Sequence, residues 1–258
     1  MRLPPRHNAS TGAALRAAVY VALIYLLMPV WGLIWFLPAM LSYRMTLWVM
    51  KSYVVIAFWL LRVLCGTRCE LRGDVPQGRC IIAAKHQSFL DVMMMMLWVP
   101  EPRFIMKRSV IWMPFLGLYA LKLGCIPIDR SKRGEAMRSI VEGIDKGRAR
   151  NGQVIIFPQG TRVAPGTEAP YKGGAAKLYE ASGLPLVLAA TNTGWFWPRT
   201  GLRRSPGLAV LDFFGAIEPG ARAGETMAEI ERRIEERSGD LAEEAAAYFP
   251  EEDPARRL

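Results

Sequence analysis

From Ala17 to Leu41 the chain carries no charged residue. Twenty-five residues of helix reach roughly 37 Å, enough for a hydrocarbon core of about 30 Å, so this run predicts a helix in lipid. A second apolar stretch, Met45–Leu61, is broken only by Lys51 and is followed by Arg62, Arg68 and Arg72. Arg2, Arg6 and Arg16 precede the first run, so basic residues flank the region on both sides. The positive-inside tendency is met when both ends lie in the cytoplasm, which predicts a helical hairpin. Pro29, Gly32 and Pro38 can bend its first helix, leaving both a full span and a shallow dip open. Trp31, Trp35, Trp48 and Trp59 suit the headgroup interface, where an apolar ring with a polar N–H is comfortable. A secretory signal is a rival reading, but the run is too long and no A-x-A-like site closes it. Buried core helices of a soluble protein are the other rival.

After Gly66 short apolar runs alternate with helical or turn-rich stretches. Candidate strands are Cys69–Arg72, Cys80–Ala84, Arg103–Met106, Cys125–Ile128, Val154–Phe157, Pro185–Thr191 and Leu208–Phe214. Between several of them lie helical segments: Ser88–Leu97, Trp112–Leu121, Gly134–Arg148 and Ala175–Ala181. The pattern predicts an α/β domain, a layered and largely buried sheet with flanking helices, over residues 66–258, with the membrane-embedded hairpin in residues 1–65. Glu225–Phe249 places Met227, Ile230, Ile234 and Leu241 at near-helical spacing, which predicts an amphipathic surface helix with a possible break at Gly239.

The chain has 258 residues, 52% of them hydrophobic, ample for one folded domain plus an appendage. Lys and Arg total 33 against 23 Asp and Glu, a formal +10, which favours anionic partners without choosing among nucleic acid, anionic lipid and phosphorylated substrates. Cys65, Cys69, Cys80 and Cys125 sit at irregular spacings with no C-x-x-C pair, so neither a zinc site nor a disulfide framework is indicated. His7 and His86 are the only histidines, too few for a histidine-rich metal centre, and no metal is expected.

The segment Ala83–Asp91 runs from a predicted strand into a predicted helix, a common place for active-site groups. On one regular helix His86 and Asp91 would lie some 140° apart, so they meet only if His86 is still in the loop. Ser88 followed by Asp91 also reads as a capping-box-like start, and the two readings are compatible. An aspartate fixed in the first turn can hold one imidazole nitrogen and leave the other as a general base for an alcohol. A second segment, Val154–Arg162, is an apolar strand ending in a polar turn. Gly160 allows close backbone approach, Thr161 offers a hydroxyl, and Arg162 can pair two phosphate oxygens. Without context, an ordinary strand exit with a surface arginine is the commoner explanation of such a turn. Lys107 and Arg130 stand at two further strand ends, and convergence of those ends would make one basic pocket beside His86.

With these pieces in order, the chain resembles the 1-acyl-sn-glycerol-3-phosphate acyltransferase family over roughly residues 66 to 215. The residues that carry the resemblance are His86-x-x-x-x-Asp91, then Gly124–Arg130, then Phe157-Pro158-Gln159-Gly160-Thr161-Arg162, then Leu184–Val187. The third block departs from the family's usual pattern, with Gln159 where glutamate is common and Val163 where serine is frequent. The resemblance implies a catalytic dyad of His86 and Asp91, with Gln159, Gly160, Thr161 and Arg162 around the acceptor and the strand-end cations Lys107 and Arg130 as helpers. It also implies transfer of an acyl group from acyl-CoA or acyl carrier protein to a lysophospholipid in the membrane, with no other cofactor, and a bacterial inner-membrane enzyme facing the cytoplasm. Backbone amides at the start of the helix after Ser88 are expected to stabilise the oxyanion. Other acceptors, such as lyso-ornithine lipid or glycerol-3-phosphate, and a catalytically silent lipid-binding protein are the alternatives. No recognised nucleic-acid motif and no G-x-S-x-G turn is present, which argues against nucleic-acid binding and serine hydrolysis.

Overall fold

The computed structural model describes residues 10–129, 140–144 and 152–249. The apolar N-terminal region folds into α1 (Thr11–Ile34), α2 (Phe36–Leu41) and α3 (Tyr43–Cys65). Ser10 caps α1, its hydroxyl accepting from Ala13 N at 3.3 Å, and Ser42 starts α3. The single run expected over Ala17–Leu41 is interrupted at Trp35. Pro38 explains the position, because in a continued helix its ring would meet the carbonyl four residues back, at Ile34. α1 continues through Pro29 and Gly32. α3 ends at Gly66, whose φ of +72° closes the helix in the left-handed conformation. Both α1 and α3 are long and apolar enough to cross a membrane.

Neither long helix projects freely. α1 turns Ala17, Tyr20 and Ile24 into the main core, and α3 adds Val54, Ala57 and Leu61 to it. Tyr119 donates to the Gly32 carbonyl at 2.6 Å, and a Cβ on Gly32 would fall 2.8 Å from Phe115. Lys122 bonds the Met40 carbonyl, which fastens the tip of the hairpin to the domain. The opposite face stays exposed and apolar, with Leu15, Leu26, Leu33, Leu37 and Leu41 each more than half exposed. Trp31, Trp35 and Trp48 cluster near the tip, their rings 4.9–6.3 Å apart.

The rest is a layered α/β unit with strands β1 (Thr67–Gly73), β2 (Ile81–Ala84), β3 (Pro102–Lys107), β4 (Ile126–Ile128), β5 (Gln153–Ile156), β6 (Leu186–Thr191) and β7 (Gly207–Ile217). They form one mixed sheet in the order β1-β7-β6-β2-β5-β3-β4. β6, β2, β5, β3 and β4 are mutually parallel; β7 runs antiparallel to β6, and β1 parallel to β7. β2 and β5 are buried throughout, as central parallel strands must be. Alternate residues divide the core: Ile82, Ala84 and Ile155 face α4 (Phe89–Trp98) and the hairpin. Ile81, Ala83, Val154 and Ile156 face the other layer, made by α6 (Gly174–Ser182) and the C-terminal helix α7 (Ala223–Ala246).

Two expected helices differ from the structure. The one predicted over Trp112–Leu121 begins only with α5 (Leu116–Lys122), after a 3-10 turn at Arg108–Trp112. Pro114 disfavours helical backbone at Met113 and separates the two. α7 passes unbroken through Gly239, because Ile230, Ile234, Leu241 and Ala242 bury a continuous stripe that outweighs the ~1 kcal/mol cost of one glycine. The helix predicted over Gly134–Arg148 falls largely outside the described residues, of which 140–144 are helical.

Candidate active site

Parallel strands end at the same edge, so the residues after β2, β3 and β5 gather there. α4 starts at Phe89 with Ser88 as its cap, which leaves His86 in the loop. Leu90 N donates to Ser88 Oγ at 3.0 Å, and Ser88 N donates to Asp91 Oδ2 at 2.8 Å. The other oxygen, Oδ1, lies 3.0 Å from His86 Nδ1. One carboxylate therefore makes both the capping bond and the bond to His86 that the catalytic reading calls for. Asp91 is wholly buried and also accepts from Gln87 N at 2.8 Å and Thr193 Oγ1 at 3.4 Å. A carboxylate there calls for a proton on Nδ1, which leaves Nε2 as the basic nitrogen.

The turn after β5 holds His86 from the other side. His86 N donates to Gln159 Oε1 at 3.3 Å, and Val163 N donates to the His86 carbonyl at 2.8 Å. The imidazole stacks on Phe157, with centroids 4.0 Å apart and planes 21° from parallel. Gln159 is buried, and its Nε2 has no partner. The backbone amide of His86 can only donate, so the oxygen must face it. Gly160 takes φ +68° and donates to Phe157 O at 2.8 Å, and a Cβ there would fall 2.8 Å from Lys172 Nζ.

His86, Lys107 and Arg162 line a single cavity of about 410 Å³. Its walls are otherwise almost entirely apolar: Met28, Trp31 and Tyr53 from the hairpin, Met93 and Met96 from α4, and Phe115 just before α5. Among the described residues neither Lys107 nor Arg162 has a carboxylate partner. The cavity therefore joins a polarised imidazole and two unpaired cations to a long apolar space. A hydroxyl compound with an anionic head and a hydrocarbon tail matches that combination.

Of the residues expected at the site, Gln159 acts on the His86 backbone instead of lining the cavity, and Gly160 shapes the turn. Thr161 is exposed and contributes nothing to the cavity wall. Arg130 lies outside the described residues. The amides expected to receive an oxyanion are partly committed elsewhere, those of Gln87 and Ser88 to Asp91 and that of Leu90 to Ser88. Sequence reasoning missed Thr193 on Asp91 and Gly194, whose amide donates to Gln87 Oε1 at 3.0 Å. Both come from the turn after β6, more than a hundred residues away, and no local pattern announces them. Among the described residues no group of three His, Cys, Asp or Glu is placed to hold a metal ion.

The Acyltransferase family pattern matches residues 67–190. The chain is 30% identical over 233 residues to the 1-acyl-sn-glycerol-3-phosphate acyltransferase of Pseudomonas aeruginosa, covering 88% of this chain and 90% of that one. It is 33% identical over 142 residues to the protein of that name from Saccharomyces cerevisiae, covering 53% of this chain and 47% of that one. The crystal structure of the 1-acyl-sn-glycerophosphate acyltransferase of Thermotoga maritima shares the fold, with a TM-score of 0.74, 19% identity, and coverage of 89% of this chain and 95% of that one. The chain belongs to the 1-acyl-sn-glycerol-3-phosphate acyltransferase family and is an acyl-transferring enzyme.

Proposed function

We propose that the enzyme moves a fatty acyl group from acyl-CoA or acyl carrier protein to the sn-2 hydroxyl of 1-acyl-glycerol-3-phosphate, giving phosphatidic acid for phospholipid synthesis. The observation that carries this reading is the single cavity on which His86, Lys107 and Arg162 meet apolar walls supplied partly by the hairpin. His86 Nε2 takes the proton of the acceptor hydroxyl while its oxygen forms a bond to the thioester carbonyl carbon. Asp91 holds the imidazole in the tautomer this step needs and stabilises the imidazolium formed. The tetrahedral intermediate then expels the thiolate, which recovers the proton from His86. Arg162 pairs the acceptor phosphate and Lys107 adds a second charge. No acyl-enzyme forms, so the two substrates occupy the site together.

The hairpin supplies the reason for a membrane. Its exposed apolar face would rest in the acyl region of one leaflet, while its fastenings to the α/β domain at Gly32 and Met40 keep the catalytic edge at the headgroups. An acceptor would then reach His86 without leaving the bilayer. The thioester donor arrives from the cytoplasm, the side that the positive-inside tendency favours for the basic residues at both ends of the hairpin.

The test is transfer of radiolabelled acyl groups to a panel of lysophospholipids and glycerol-3-phosphate by purified wild type and His86→Ala in detergent. Transfer to lysophosphatidic acid that falls on the order of 10²–10⁴-fold in the variant is the expected result. Transfer to a different acceptor alone would keep the chemistry and change the substrate. No transfer by well-folded wild type would overturn the proposal in favour of a silent lipid-binding protein.

A further inference from the structure

The loop from Pro198 to Pro206 carries Arg199, Arg203 and Arg204 and no acidic residue. It is fastened to the open end of the hairpin, where α3 stops: Thr67 Oγ1 donates to Ser205 O at 2.6 Å, and Gly207 N donates to Gly66 O at 3.2 Å. Arg204 turns inward and is only 8% exposed. Its guanidinium lies 3.9 Å over the ring of Trp197, whose indole meets Tyr20 of α1 edge-on at 5.6 Å.

Among the described residues Arg204 has no acidic partner. Its Nη1 donates to the carbonyls of Arg203 at 2.7 Å and Gly201 at 3.4 Å, and its Nε is buried without a partner. Among the described residues no carboxylate pairs with it, and the titratable groups close enough to act on it are Tyr20, Cys65 and Tyr25. Burial pulls its pKa down to about 10, which still leaves it charged at neutral pH. Among the described residues the other deeply buried cations leave no buried nitrogen without an acceptor. Lys85 pairs with Glu235, and Arg103 donates to the carbonyls of Gly124, Gly143 and Ile144. The Tyr20 hydroxyl is also buried without a partner. A buried guanidinium with a donor left over is costly, and an anion that takes that donor offsets the cost.

The surroundings point to the anion. Exposed Leu15, Val19 and Val63 continue the hairpin's apolar face to this end, and Leu202 on the loop is 56% exposed. We propose that Arg204, with Tyr20 beside it, is a docking site for the phosphate of an anionic membrane phospholipid, outside the acyl-transfer cavity. Nη1 is held by carbonyls, so the Nε–Nη2 edge is the one that would take the phosphate, and the buried hydroxyl of Tyr20 would add a donor once the loop around Arg204 gives way to the lipid. The lipid would pin the open end of the hairpin at headgroup level. The proposal rests on the reading of the hairpin as embedded in lipid.

The experiment is vesicle flotation of the full-length enzyme with phosphatidylcholine alone and with added phosphatidylglycerol, at low and high salt, for wild type, Arg204→Met, Arg204→Lys and Arg199→Met. All four should bind phosphatidylcholine alike through the hairpin. Phosphatidylglycerol should tighten wild type roughly tenfold, a gain that survives high salt because a buried pair is weakly screened. Arg204→Met should lose that gain while keeping its acyl-transfer activity in detergent, and Arg204→Lys should keep it only at low salt. Arg199→Met, which removes an exposed charge, should lose only a salt-sensitive part. Retention of the full gain by Arg204→Met would overturn the proposal. So would an equal high-salt loss in Arg199→Met. Failure of wild type to bind any vesicle would overturn the membrane reading instead, and the site is then read in detergent. There a soluble short-chain phosphatidylglycerol should raise the melting temperature of wild type and not of Arg204→Met. An equal rise with inorganic phosphate would assign the site to free phosphate and end the lipid proposal.

Discussion

Asp91 spends one carboxylate on both the start of α4 and the orientation of His86, so its replacement separates two effects. In Asp91→Asn the amide can still accept from Ser88 N, and α4 should form with a loss of about 1 kcal/mol. The imidazole, however, loses the charge that fixes its tautomer. Acyl transfer should fall on the order of 10³–10⁴-fold in kcat with KM little changed, as steady-state kinetics would show. Arg162→Ala should behave oppositely, because it removes the phosphate contact proposed for it and leaves His86 intact. KM for lysophosphatidic acid should rise about 10–100-fold while KM for the thioester donor stays put. Loss in both donor and acceptor terms would remove Arg162 from the acceptor phosphate. The thiols give a third expectation. Burial pushes Cys69 up to about 12 and Cys80 and Cys125 up to about 11, so each stays protonated at pH 8. Only about one in a thousand of a thiol with a pKa near 11 is then thiolate. Native enzyme should therefore label slowly with iodoacetamide at these positions, and fully after denaturation, by mass spectrometry. Of these residues His86, Asp91 and Arg162 were legible in the chain, because each sits in a short run of distinctive chemistry. Thr193, Gly194 and the stacking of Phe157 on the imidazole were not, because they depend on which strand ends become neighbours.

At the level of elements, hydrophobic runs located all seven strands of the sheet, and glycines or prolines bounded many of them. Their order was not legible. Whether β7 pairs antiparallel to β6, and whether β1 returns to the far edge, is decided by long-range packing that no window of sequence contains. The convergence of β2, β3 and β5 is the step that turns Lys107 and Arg162 from separate strand-end cations into one site. α7 takes part in holding that edge. Glu235 accepts from the buried Lys85, the residue before His86, and from Tyr171 at 2.8 Å. Glu235→Ala strands Lys85 without a partner. Because Glu235 is 43% exposed, the cost should be about 1–3 kcal/mol, below that of a fully buried pair. A chain of this size loses ~2–4 °C per kcal/mol, so differential scanning calorimetry should record a clear drop in melting temperature. Glu235→Gln, which can still accept from both donors, should recover part of it.

For the whole molecule the question is what the hairpin does to the domain as well as to the membrane. Its inner face and the α/β core are one body: Tyr20, Ile24, Val54 and Leu61 share a hydrophobic cluster with Leu90, Met93, Met94 and the inner side of β2. Removing residues 1–65 would expose that cluster and one wall of the cavity that holds His86. Each fully buried large apolar side chain contributes roughly 1.5–3 kcal/mol, and a typical domain has only about 5–15 kcal/mol to lose. The chain 66–258 is therefore expected to lack a native near-UV circular dichroism spectrum and acyl-transfer activity, even in detergent. A different change isolates the outer face. Leu26→Lys with Leu33→Lys and Leu37→Lys alters only side chains more than half exposed, so the domain should fold and transfer acyl groups in detergent while flotation with vesicles falls sharply. If the truncated chain folds and works, the hairpin is an anchor alone. If the lysine variant loses activity in detergent as well, that outer face is part of the folded body.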